Sequence, residues 1–124
     1  MRKALPDMLN ETPNLALPFI MPSQAQKHVT HNEAIERLDV IVQLTLESAT
    51  ATTPPATPAE GQAWVIGSAP TGAWAGQDGA IASWRSGGWY FVTPQEGWMA
   101  WCKDDADLKV YSGGLWRVLA SLSL

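Results

Sequence analysis

Charge is scarce in this chain. Of its 124 residues only 16% are Asp, Glu, Lys or Arg, and twelve acids stand against eight bases for a net charge of -4. That balance offers no basic footprint for a phosphate backbone, so direct contact with nucleic acid is not expected. Cysteine is almost absent. Cys102 alone excludes an internal disulfide and a thiolate metal set, as expected of a protein synthesised in the cytoplasm. No apolar run approaches the roughly 18 residues that cross a bilayer. Pro6, Asp7 and Asn10 interrupt the start where a secretory signal needs continuous apolar residues, so no membrane segment is expected.

Catalytic signatures are equally thin. There is no Gly-x-Ser-x-Gly, phosphate loop or dinucleotide fingerprint. His28 and His31 lie three apart without the Glu and four-residue spacing of a zinc metalloprotease helix. Asp104, Asp105 and Asp107 resemble a fragment of a calcium loop, but its central Gly and closing Glu are missing, so a solvated turn is expected. Asp78 and Glu96 are the only acids that suggest a glycosidase pair, and both sit beside Gly in turn-like contexts. The expectation is a protein without catalytic residues, metal or cofactor.

What is present falls into four stretches. Residues 1–22 carry Pro6, Pro13, Pro18 and Pro22 without helical or strand period, which predicts an extended arm. Its apolar residues Leu15, Leu17, Phe19 and Ile20 can cover the arm's own domain or dock on another chain, and docking on another chain is favoured. Residues 23–47 predict a helix. Ser23 with Gln26 forms one capping-box pair and Thr30 with Glu33 a second, so the helix starts at Ser23 or near Asn32. Ile35, Leu38 and Val42, continued by Ile41, Thr45 and Leu46, form an apolar stripe fit for a sheet or for a seam between copies. Glu33, Glu36, Arg37 and Asp39 form the polar face. Residues 48–60, rich in Thr, Ala and Pro, predict a stiff connector.

From Gly61 to Leu124 the pattern changes to six short β-prone runs punctuated by Gly. Ser-Gly-Gly at 86–88 and 112–114 marks two hairpins, because Gly takes the positive φ of tight turns without steric cost. The hairpins are related: Ile81 aligns with Leu108, Ser83 with Val110, Trp84 with Tyr111, Trp89 with Trp116 and Phe91 with Val118. The fold class is therefore α+β: an extended N-terminal arm, one helix, then a small antiparallel β domain with two related Ser-Gly-Gly hairpins. Seven tryptophans exceed what the small sheet needs, and about half are expected in the core. The others, with Trp89, Trp98 and Trp116 foremost, fit a protein interface or the face of a sugar.

The stretches "MPSQAQKHVTHNEA", "GAWAG" and "EGWMAW" are similar to a domain family of alphaproteobacterial prophages and gene transfer agents, the phage-like particles that package host DNA. Over residues 15–118 the chain most resembles the head-spike base proteins of such particles, and its stop at Leu124 is expected of a base rather than a fibre. The resemblance implies a virion structural protein on the particle exterior. Its partners would be capsid protein at a vertex and a head-spike fibre protein, and the spike would aid adsorption to host capsular polysaccharide. Leu15, Leu17, Phe19 and Ile20 then become the capsid-docking residues, and Ile35, Leu38 and Val42 an oligomer or fibre interface. A pentamer is favoured by vertex symmetry, with a trimer as the alternative. A second expectation is a carbohydrate-binding module that itself contacts the polysaccharide through Trp89, Trp98 or Trp116.

Overall fold

The structure, a computed structural model, describes residues 10–20 and 27–119. The remainder of the expected arm, the Ser23–Gln26 capping pair and the last five residues lie outside the described residues. Among the described residues the fold is α+β, with a non-helical segment at 10–20, one α-helix and a small β domain rich in antiparallel pairs. The chain forms two compact units, 1–43 and 44–124.

In the first unit, α1 (Lys27–Ile41) holds the arm by its backbone. Residues 10–20 make a tight reversal. Glu11 bridges Pro18, Phe19 N–H donates to the Asn10 carbonyl (2.8 Å), and Thr12 accepts from Leu17 through its hydroxyl (2.8 Å). Asp39 then receives the amides of Asn14 (3.0 Å) and Leu15 (2.7 Å) on its two carboxylate oxygens. Seven residues earlier, two turns back on the same helix face, Asn32 pairs with both backbone groups of Ile20, accepting its N–H (2.8 Å) and donating to its carbonyl (3.0 Å). Asp39, assigned by periodicity to the polar face, is only 1% exposed, whereas Leu38 and Val42 of the expected stripe are 45% and 53% exposed. Two backbone donors compensate the burial of a carboxylate, which no apolar period can signal.

The helix ends at Ile41, and Thr45–Leu46 form β1 instead of a last helical turn. Val40, Ile41 and Val42 are β-branched and weak helix formers. Beyond them Leu44 and Leu46 are buried with Thr45 between, a period-2 pattern that sheet pairing satisfies and a helix would not.

The second unit is built from two three-stranded antiparallel meanders. The first comprises β2 (Ala63–Val65), β3 (Ile81–Arg85) and β4 (Gly88–Val92). The second comprises β5 (Met99–Cys102), β6 (Asp107–Ser112) and β7 (Leu115–Val118). Two-residue turns close the hairpins, Ser86-Gly87 with φ 51° and 78° and Gly113-Gly114 with φ 63° and 82°, the left-handed pairs that match strand twist. Trp84 faces Trp89 across the first hairpin, and Tyr111 faces Trp116 across the second.

One segment edges both meanders. The carbonyls of Leu44 and Leu46 accept from Trp101 and Lys103, so that β1 runs parallel to β5. Immediately afterwards Glu47 N–H donates to Ala63, Ser48 accepts from Val65, and Ala51 accepts from Gly67. The first half of the Thr/Ala/Pro connector thereby lies along β2 and covers a strand edge that would otherwise be unpaired.

The outer face of the first meander packs under a tryptophan delivered by the loop between β2 and β3. Gly72–Trp74 form a short 3₁₀ turn, and Trp74, fully buried, meets Trp64 and Trp89 at ring distances of 6.1 and 5.2 Å, tilted or edge-on. Ala80 and Ala82 leave room for the indole. Trp64 and Trp74 are thus core residues, and half-buried Trp89 packs against them.

Two outcomes test these packing arguments. Replacing Trp74 by Ala should cost about 3–5 kcal/mol in urea denaturation, whereas an unchanged midpoint would mean that the loop does not cap the core. Asp39→Ala should open the amides of Asn14 and Leu15 by about 2 kcal/mol, a roughly thirtyfold faster hydrogen exchange. Unchanged protection there would remove the clasp.

Candidate functional site

Both meanders begin on the same four-residue corner. Pro58-Ala59-Glu60-Gly61 leads into β2 and Pro94-Gln95-Glu96-Gly97 into β5. Gly61 and Gly97 sit at φ 87° and 90°, where an L side chain is strained. From that corner the hydrogen bonds repeat. Gly61 N–H donates to the Trp84 carbonyl and Gly97 N–H to that of Tyr111, each at 2.8 Å. Trp84 and Tyr111 return bonds to Gln62 and Trp98 (3.0 and 2.8 Å). The Glu60 carboxylate receives the amide of Ser86 and the Glu96 carboxylate that of Gly113, the first residue of each hairpin turn. Glu96, one of the two acids weighed as a glycosidase pair, caps a turn. Asp78 accepts the amide of Ala69 (3.0 Å) and lines a separate cleft.

This repeat fixes which positions correspond. In the first meander Ala63 pairs with Ser83 and Val65 with Ile81; in the second, Met99 pairs with Val110 and Trp101 with Leu108. The first set is buried, at 3%, 0%, 5% and 0% exposure respectively. The second presents Met99 at 47%, Trp101 at 44% and Leu108 at 38%, with Val110 half-buried among them. Small or polar residues occupy part of the covered face and larger apolar ones the open face. An apolar sheet face of this kind stands apart from scattered exposed hydrophobics. Each of its large side chains would gain about 1.5–3 kcal/mol on full burial. Trp101, the most exposed indole among the described residues, was not among the tryptophans singled out by sequence.

The opposite face of the second meander borders a cleft of about 560 Å³, with Val65, Ser68 and Asp78 on one side and Lys109, Tyr111 and Trp116 on the other. Tyr111 and Trp116 stand 5.2 Å apart at 53°. Trp116 Nε1 is buried without an acceptor, which costs about 1–3 kcal/mol as long as it lasts. Lys109 is buried and paired with Asp105. The hydrogen bond that its ammonium donates to the Asp105 carboxylate raises the Lys109 pKa above the ordinary lysine value, against desolvation.

The other expected site residues are dispersed. Leu15, Leu17, Phe19 and Ile20 are half-buried, and Phe19 borders a groove of about 290 Å³ with Val29, Asn32, Glu33 and Glu36. Ile35 is half-buried while Leu38 and Val42 are exposed. Trp89 stands edge-on to three other indoles, which leaves it little free face. Trp98 is half-buried in the corner before β5. Among the described residues no three His, Cys, Asp or Glu groups are arranged to hold a metal ion, and no helix is long and apolar enough to cross a membrane.

No curated protein matches the chain. A family model described as "Protein of unknown function (DUF2793)" matches residues 31–117, from α1 through the second hairpin. With the match spanning well over half its length, the chain belongs to the DUF2793 family.

Proposed function

We propose that this chain is a structural assembly protein, the base of a head spike that joins a fibre to the capsid vertex of a phage-like particle and so aids adsorption to the host surface. The single observation that carries an assembly role is the open apolar face of Met99, Trp101 and Leu108, whose counterpart in the first meander is buried. A surface of that composition, with an exposed indole in it, is the usual anchor of a protein interface. The specific assembly follows from the resemblance of "MPSQAQKHVTHNEA", "GAWAG" and "EGWMAW" to head-spike base proteins.

In this reading the open face meets neighbouring copies or the fibre, in a pentamer or, as the alternative, a trimer. The exposed helix residues Leu38 and Val42 offer a contact of their own, and the arm residues Leu15, Leu17, Phe19 and Ile20 turn toward capsid protein. The work is mechanical, with no cofactor and no turnover, and its place is the particle exterior.

The test is reconstitution. Particles lacking the endogenous protein should incorporate the added full chain, and the double variant Trp101→Ser, Leu108→Ser should be incorporated at least about tenfold less while retaining its circular dichroism. Failure of the unmodified chain to join particles overturns the spike assignment. Equal incorporation of the variant overturns the role of the face.

A further inference from the structure

We propose that the cleft bordered by Tyr111 and Trp116 binds a pyranose sugar. The site is distinct from the assembly face, because Lys109 and Tyr111 alternate along β6 with Leu108 and Val110 and so point to the opposite side of the sheet. The inference therefore stands independently of the spike assignment.

The volume of about 560 Å³ lies within the roughly 300–1,000 Å³ of small-molecule sites. Its chemistry selects among ligands. Tyr111 and Trp116, tilted by 53°, give two apolar planes meeting at an angle, against which the C–H face of a sugar ring can lie. Around them stand groups with unused capacity. Asp78 takes the Ala69 amide on Oδ2, leaving Oδ1 to accept. Arg117 commits Nε to the Ser112 carbonyl, leaving its terminal nitrogens to donate. Ser68 adds a hydroxyl that does both. Trp116 Nε1 has no acceptor, so no hydrogen bond locks the indole in place, and a ligand oxygen reached by a small turn of the ring would satisfy it.

A purely apolar ligand would strip water from Asp78 and Arg117 without replacing it. A small anion would leave both rings unused and meet the Asp78 carboxylate. A pyranose has an apolar ring face and a rim of hydroxyls that each donate and accept, and it satisfies both halves of the lining at once.

The experiment is a titration of the full chain with glucose, glucuronate and acetate, following the seven tryptophan indole N–H resonances by NMR, with the Trp116 signal assigned through Trp116→Phe. Saturable shifts centred on Trp116, at millimolar glucose or glucuronate and absent with acetate, are expected. Glucose and glucuronate acting alike identifies a neutral-sugar site, and glucuronate acting more strongly identifies an acidic-sugar site. Asp78→Asn, on an exposed turn and outside the core, should weaken binding about tenfold with the other indole signals unmoved. Absence of saturable shifts with both sugars, equal shifts with acetate, or unchanged affinity in Asp78→Asn would each overturn the proposal.

Discussion

The β domain depends on a corner in which a glycine with positive φ lets a glutamate reach forward to a hairpin turn. Gly61 and Gly97 hold backbone angles that nearly all other residues avoid. The chain therefore turns so that the preceding Glu60 or Glu96 meets the first amide of the turn that closes its own meander. Each corner thus ties the entry of a meander to its far end and fixes the register of all three strands, since a slip of one residue would exchange the two faces of the sheet. The aromatic pairs Trp84–Trp89 and Tyr111–Trp116 then form at the same place in both hairpins.

Identical scaffolding makes the differences between the meanders informative. The face bearing Ala63, Val65, Ile81 and Ser83 is buried, while its counterpart bearing Met99, Trp101 and Leu108 is open. The other face of the first meander is closed by Trp74, carried in on a loop that the second meander, with only a tight turn between β5 and β6, does not possess. The segment from Leu44 to Ala51 hydrogen-bonds to β5 and then to β2, so the two repeats share one edge. One end of the domain is therefore finished by its own residues, while the apolar face at the other stays open.

Much of this architecture was legible. Six strand segments and both hairpins follow from alternating apolar residues between glycines, and the 27-residue correspondence that equates Trp84 with Tyr111 and Trp89 with Trp116 holds in the strand register. Three features escaped for physical reasons. Leu44 and Leu46 suit a helical stripe as well as a short strand, and pairing with β5 decides between them. Asp39 has the composition of a surface residue, and the backbone donors that make its burial tolerable come from 25 and 24 residues away. In β5, Met99 and Trp101 alternate with Ala100 and Cys102, so both faces look apolar and the open one cannot be chosen without the repeat. The corner itself was visible as Pro-x-Glu-Gly at 58–61 and 94–97, a signal that identifies the corresponding strands and, through them, the exposed tryptophan.

In the proposed function, the open face of the second meander is covered by another subunit. Sedimentation equilibrium of the purified chain tests it most directly. The expected mass is that of two or more copies of the 13.4 kDa chain, falling toward a single copy when Trp101 is replaced by a polar residue. A mass of one copy at every concentration up to the limit of solubility would contradict it.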